Sequence, residues 1–433
     1  MNGRHARAVR REAALETPVA VRAYTPRTRR TRPQHALRAP ELILVFDTET
    51  RTDHAQALLF GSYRVYTAAG KLRREGLIAA DDLSEAELAI LREYVATHAA
   101  ENGVPLRLWS RSEFVRAVLW PIGYVARALI VGFNLPFDLS RLAWGWRPAR
   151  NGGVTLQLWE SIDAGGRLWR DLYRPEITIK ALDSKRQFTR FTTPARLDTK
   201  LRMEDGSAYR GRFLDLHTLV YAFTDKSLSL AAAAKAFGLE EAKGTVSEHG
   251  VLTPEYIDYN RQDVRLTWEL YRVLVAEWRR HPIDLSPEQG YSPAAVSKAY
   301  LRAMAVVPPS ERRLILDDQR LGQATTAYFG GRTETRIRRV PLPVRVVDFT
   351  SMYPTVFALL GLWAWVTADG FEAADATDDA RTILATTSPA SLHDPALWRR
   401  LAGVFCRVRL AGELLPVRAR YAGDATAAPG STA

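Results

Sequence analysis

Two acids two residues apart at the end of an apolar run are the first chemistry this chain offers. In "ELILVFDTET", Asp47 and Glu49 flank Thr48. Side chains alternate along a strand, so both acids face the same side. Held side by side and partly desolvated, they repel each other and call for a cation between them. A third acid comes from "VGFNLPFDLSRLA". There Asn134 leaves a strand, Pro136 sits where a helix starts and Asp138 falls in its first turn. An acid in that turn also complements the helix dipole. A fourth comes from "YNRQD", which puts Tyr259 and Asp263 four apart on one helix face. Taken singly, a solvated strand end, a helix start and a surface pair explain each pattern as well. Taken together, four acids converging from different elements make an oxygen-rich site for two hard divalent cations, Mg²⁺ or Mn²⁺. Two such ions clamp the attacking and leaving oxygens of a phosphodiester.

The elements that must position these acids are legible along the chain. "ELILVF" (41–46) is short enough for a buried strand, and "LLFGSYRVYT" and "KLRREGLIAA" follow as strands. "DLSEAELAILREYVATHA" (82–99) has helical period, with Ser84 as cap before Glu87. "SEFVRAVLWPIGYVARA" reads as a helix kinked near Pro121, and "ALIVGF" (128–133) as a strand. Residues 150–215 alternate β-branched and aromatic residues with turn signals, which predicts twisted β-structure. Helices are expected over 227–237 and 254–278, and a Pro- and Gly-rich turn around 281–292 suggests a domain boundary. "PVRVVDF" (343–349) reads as a strand followed by the helical "TVFALLGLW". Strands interleaved with helices over 41–278 predict an α/β domain.

Composition narrows the function classes. The 433 residues hold one cysteine, Cys406, and eight histidines without paired zinc-ligand spacing. A disulfide scaffold and a cysteine-cluster zinc site are therefore excluded, and a reducing, cytoplasmic setting is expected. No run of 18 apolar residues occurs, so no membrane span is expected. The formal net charge is +12, of which ten arginines and two glutamates place +8 in residues 1–40. That segment is read as a disordered basic tail able to hold DNA by counterion displacement, or as a merely solvated extension. It lacks the apolar stretch of a secretory signal. Residues 422–433, rich in small residues, are read as a second disordered tail.

The three acid-bearing segments, in this order, resemble the motifs of the proofreading 3′–5′ exonuclease of family B DNA polymerases, closest to the protein-primed phage and mobile-element type. The resemblance implies a ribonuclease H-like domain over 41–280, with Asp47, Glu49, Asp138 and Asp263 as metal ligands. It implies that Tyr259 orients the attacking water. It implies that Thr50, Asn134 and Phe137 hold the frayed 3′ end of single-stranded DNA, where an aromatic ring grips any base by stacking. Two weaker matches follow. "HTLVYAF" offers Thr218 and Leu219 as DNA contacts, with a strand-end hydroxyl as the plainer reading of Thr218. "EAKGTV" offers Lys243 as a catalytic lysine opposing charge on the scissile phosphate, against a plain loop lysine.

Downstream, after connecting helices or linker over 281–327, "AYFGGRTETR" resembles the family's Tyr-x-Gly-Gly element, with Tyr328, Gly330 and Gly331 near DNA. "VVDFTSMYP" resembles the first polymerase motif. By that resemblance Asp348 binds the catalytic metal, and Ser351 and Tyr353 line the nucleotide site. Residues 328–421 would start a palm domain. The fingers motif and the second palm carboxylate are not found, so the chain is not expected to polymerise DNA alone. The implied partners are a single-stranded 3′ end or primer–template, a second polypeptide supplying missing polymerase parts, and a terminal protein primer. The alternative is a DNA-binding, non-catalytic subunit of a split polymerase.

Overall fold

The computed structural model describes residues 39–99, 101–150, 152–163, 165–184, 186–239, 249–306, 337, 339–367, 376–402, 415–416 and 431–432. Lys243, Tyr328, Gly330, Gly331, Cys406 and residues 1–38 lie outside them. The chain divides into two compact units, His35–Met304 and the remainder.

The first unit is α/β. Strands β1 (Leu42–Thr50), β2 (Leu58–Thr67) and β3 (Leu72–Ala79) are followed by helix α1 (Glu85–Thr97) and strand β4 (Leu106–Ser110). A short helix α2 (Arg111–Phe114) continues as a π-helix, Val115–Val125. Then come β5 (Leu129–Gly132) and α3 (Leu135–Arg141). Small strands follow: β6 (Gly145–Pro148), β7 (Val154–Gln157), β8 (Glu160–Ile162), β9 (Leu168–Arg170), β10 (Ile177–Ala181) and β11 (Gln187–Phe191). Last are β12 (Arg212–Asp215), α4 (Leu216–Thr224), α5 (Leu230–Ala236), α6 (Pro254–Arg279) and α7 (Pro293–Ala303).

The main sheet has the order β12-β5-β1-β2-β3-β4. β1, β2 and β3 pair antiparallel, whereas β5 and β12 run parallel to β1. Along β1 the alternation is strict. Leu44 and Phe46 enter one core with the π-helix, whereas Ile43 and Val45 enter a second core with α4, α5 and α6. Asp47 and Glu49 continue the second set, so they face α6. Behind them β2 approaches closely. A side chain at Gly61 would meet the Asp47 carbonyl oxygen at 2.6 Å, so glycine alone fits. β6, β7, β10 and β11 form a separate sheet ordered β11-β10-β7-β6. One of its faces buries Leu156, Ile177, Ile179 and Phe191 in the first core.

Helix α6 carries the third acid segment, and a buried charge cluster fixes its rotation. Glu75 on β3 is 1% exposed. It accepts from Arg64 Nε at 3.2 Å and from Asn102 Nδ2 at 3.1 Å, and Arg261 Nη2 lies 3.6 Å from it. Arg261 also donates to the Tyr94 hydroxyl on α1 at 2.8 Å. Glu75→Ala leaves the buried Arg64 guanidinium without its carboxylate and Arg261 with Glu101 alone, at 3.0 Å. The expected cost is about 3–5 kcal/mol, read as a lower urea midpoint at unchanged slope.

Four expectations are corrected. The segment around Pro121 is not a kinked α-helix. Proline lacks the N–H that an α-turn needs, and the wider π-turn absorbs it, as in the Ala126 N–H to Pro121 carbonyl bond of 2.9 Å. The first unit does not end at 280. Ile283, Leu285 and Val296 pack on the second core, so 281–304 belongs to it. "HTLVYAF" is helix α4 rather than a strand end. Residues 343–349 form no strand, because a strand needs a hydrogen-bonded neighbour and no described residue supplies one. Val344, Val346, Val347 and Phe349 are all exposed, Val346 at 91%.

In the second unit the described elements are helices α8 (Met352–Leu359), α9 (Leu362–Thr367), α10 (Thr377–Thr386) and α11 (Pro395–Leu401), a 3-10 turn at Ser391–His393, and a short antiparallel pair, β13 (Leu415–Pro416) with β14 (Ser431–Thr432). Among the described residues no helix is long and apolar enough to cross a membrane.

Candidate active site

The site forms where β1 outruns β5. The two strands pair only through Ile43–Val45 and Leu129–Val131. Beyond that the β5 chain leaves at Gly132, and the Thr48 amide loses its ladder partner. Asp138, in the first turn of α3, replaces it. Its Oδ1 accepts from the Thr48 N–H at 3.1 Å and from the Thr48 hydroxyl at 2.8 Å. Asp138 is 2% exposed, and its Oδ2 is buried with no hydrogen-bond partner.

The turn into α3 is unusual. Asn134 adopts a left-handed backbone (φ 70°, ψ 43°), tolerable for asparagine, and its side chain does not cap the helix. Asp215, the last residue of β12, caps from outside. Its Oδ1 accepts the N–H groups of Asn134 at 2.8 Å and Leu135 at 3.2 Å. Its Oδ2 accepts from Gln187 Nε2 and, at 3.0 Å, from the Thr218 hydroxyl. Asp215 thus stands beside Asp138 and was not among the predicted residues. Its signal was available, since an acid ending an apolar strand is the pattern of Asp47.

Across β1, helix α6 presents Tyr256, Asn260 and Asp263 along one stripe, all buried. The Tyr256 hydroxyl donates to Glu49 Oε2 at 2.6 Å. Asn260 Nδ2 bridges Asp47 Oδ2 at 2.7 Å and Glu49 Oε1 at 3.4 Å. Asp263 lies a turn further on and bears electrostatically on Glu49. The predicted Tyr259 is half-buried, its ring 5.9 Å from that of His249 and 6.2 Å from that of Tyr256. Tyr256 and Asn260 were missed because helix spacing alone cannot say which neighbour faces the acids. Tyr256→Phe should lower activity, or metal affinity, about 10–100-fold with little change in thermal midpoint. Activity against metal concentration, beside a melting curve, checks it.

The remaining predicted residues are placed as follows. Thr50 ends β1 at a bulge between Glu49 and Thr50. Phe137 is half-buried, with the Arg141 guanidinium 4.5 Å above its ring. Thr218 is buried against Asp215, and Leu219 sits in the second core, so Leu219 packs rather than presents a surface. Asp348, Ser351 and Tyr353 are exposed in the second unit, and Ser351 has a left-handed backbone.

Charge crowding shows in the acids. Burial pushes the Asp138 carboxyl well above the usual range, Asp215 and Glu49 push the same way, and the Thr48 bonds oppose. Burial also raises Glu49, with Asp263 adding, while Tyr256, Asn260 and His249 oppose. The donor set is all oxygen, two of its members are raised by burial, and one buried carboxylate oxygen lacks a partner. These properties suit a hard divalent cation. The acids approach without closing. Among the described residues no three His, Cys, Asp or Glu side chains are grouped tightly enough to hold a metal as they stand.

No protein-family model matches the chain, and no curated protein matches it.

Proposed function

We propose that the first unit is a metal-dependent 3′–5′ exonuclease, the proofreading part of a family B DNA polymerase with a ribonuclease H-like domain. The observation that carries the proposal is the gathering of Asp47 and Glu49, Asp138, and Asp263 at one strand end from three separate elements. The sheet supports it: three antiparallel strands followed by two parallel crossover strands put the end of the first strand beside those of the last two.

Asp47, Glu49, Asp138 and Asp263 would hold Mg²⁺ or Mn²⁺, which when bound supplies Lewis acidity for phosphodiester hydrolysis. The chain's own residues do the rest. Asn260 and Tyr256 each tie down carboxylate oxygens, which fixes the rotamers of Asp47 and Glu49. Thr48 fixes Asp138. Asp215 holds the backbone of Asn134, so the turn that carries Phe137 is anchored. Phe137, Thr50 and the Asn134 side chain would receive the last nucleotides. Tyr259 would orient water.

The test is digestion of a 5′-labelled, 3′-mismatched primer–template with Mg²⁺ or Mn²⁺. Stepwise shortening that Asp47→Ala and EDTA both abolish is expected. No shortening from a folded, DNA-binding sample would sink the enzyme.

One observation favours a second reading, a DNA-binding subunit that needs another chain. The apolar side chains of Val344, Val346, Val347 and Phe349 stand exposed where a strand was expected. A monodisperse monomer in sedimentation, with no gain of activity from a second chain, would remove that reading.

A further inference from the structure

The small sheet has a second face that the proposed chemistry does not use. One face is core, through Leu156, Ile177, Ile179 and Phe191. Strand alternation sends the intervening residues outward. Arg147, Thr155, Thr178 and Arg190 lie directly opposite one another across all four strands, and Lys180 lies opposite Phe188. This face floors an open cleft of about 590 Å³. Arg150, Lys180, Arg190 and Arg210 line it, and no ion pair engages any of them among the described residues. Arg147 also lines it but is paired with Glu176. Phe188, 40% exposed, packs edge-on against Tyr291 in the same wall, ring centres 4.7 Å apart.

At the edge strand β11 the cleft meets a second, narrower space on the side of Asp215. A narrow cavity of about 30 Å³ lies beside Asp215, Leu135 and Thr218. Thr189 and Tyr291 line both spaces. Gln187, at the start of β11, donates to Asp215. Unpaired cations along a groove, with an aromatic pair in its wall, suit a flexible polyanion that carries flat rings.

We infer that the outer face of this sheet is a track for single-stranded DNA, leading the strand toward the acids. The inference rests on the exonuclease reading for its ligand. Arg150, Lys180, Arg190 and Arg210 meet successive phosphates. Phe188 and Tyr291 stack on bases without reading them. A duplex hides its base faces, so the aromatic wall favours a single strand.

The experiment uses the full chain in EDTA, where no hydrolysis can occur, and a fluorescein-labelled oligothymidine of about 16 nucleotides. The arginine-rich residues 1–40 contribute equally to every protein compared. Lys180→Glu with Arg190→Glu, both exposed, should weaken binding at least about tenfold and make the log–log salt slope shallower by about 1.4. Phe188→Ala should weaken the single strand about tenfold and leave a blunt duplex unchanged. Unchanged affinity and slope in a double variant with wild-type melting would overturn the track. So would no oligothymidine binding by the wild-type chain, or equal loss for duplex and single strand in Phe188→Ala. Binding through this face by a chain that never shortens a primer would retire the exonuclease reading alone. Shortening by a chain whose affinity ignores the charge reversals would retire the track alone.

Discussion

Asp263→Asn should lower the rate of 3′ shortening at least about a thousandfold while the chain keeps its secondary structure. The substitution keeps the shape of a buried side chain on α6 and removes only its charge. A second readout separates loss of a ligand from simple damage. The Asp263 charge is one of the causes that raise Glu49. Without it Glu49 ionises more easily, so the acidic limb of any residual activity moves to lower pH. A residual activity within tenfold of wild type, or an acidic limb moving to higher pH, would argue against Asp263 as a ligand.

Asp138→Asn should likewise lower activity but raise the stability of the metal-free chain. Burial raises the Asp138 carboxyl above its ordinary value of 3.8. Below that value both folded and unfolded chains carry the proton, and the group costs nothing. As pH rises past it the unfolded chain ionises freely while the folded chain must ionise a buried group. Without metal, the wild type therefore loses stability from about pH 4 upward, until the folded carboxyl is itself ionised. Asparagine keeps an oxygen for Thr48 and escapes that loss. In EDTA at neutral pH the variant should melt higher, by about 0.5–2 kcal/mol or a few degrees, with the gap closing toward pH 4. Saturating Mg²⁺ or Mn²⁺ should reverse the order, since an ion at a hundred times its dissociation constant adds about 2.7 kcal/mol to the protein that binds it. Melting curves at several pH values, with and without the ion, decide it. A variant less stable than wild type in EDTA at neutral pH would contradict the burial argument.

The sequence made the frame of this site legible because its signals are local. An apolar run ending in Asp-x-Glu needs only strand alternation to place Asp47 and Glu49 together. Pro136 marks the helix that delivers Asp138. The 3.6-residue period of 254–278 is strong enough to survive any context. What stayed hidden depends on neighbours distant in sequence. Asp215 gains its role from Asn134 and Leu135, 81 and 80 residues away. Asn260 and Tyr256 gain theirs from β1. The Pro- and Gly-rich stretch near 281 looks like a linker until Ile283 and Leu285 are seen to pack on the second core. "PVRVVDF" has every local property of a strand, yet pairing is not a local property. The cationic face of the small sheet was equally invisible, since its arginines and lysine come from different strands and align only by register.

The bond between Thr48 and Asp138 has a spectroscopic consequence. A backbone amide that would be an ordinary rung of the sheet ladder reports instead on a single side chain of the site. Its proton points at a carboxylate oxygen, so its chemical shift follows the charge on Asp138. One cross-peak in a ¹⁵N-labelled sample thereby serves as an internal electrode at the centre of the acids. It would register protonation of Asp138 and, under the proposed function, ion loading and the arrival of a DNA end, without a probe being attached.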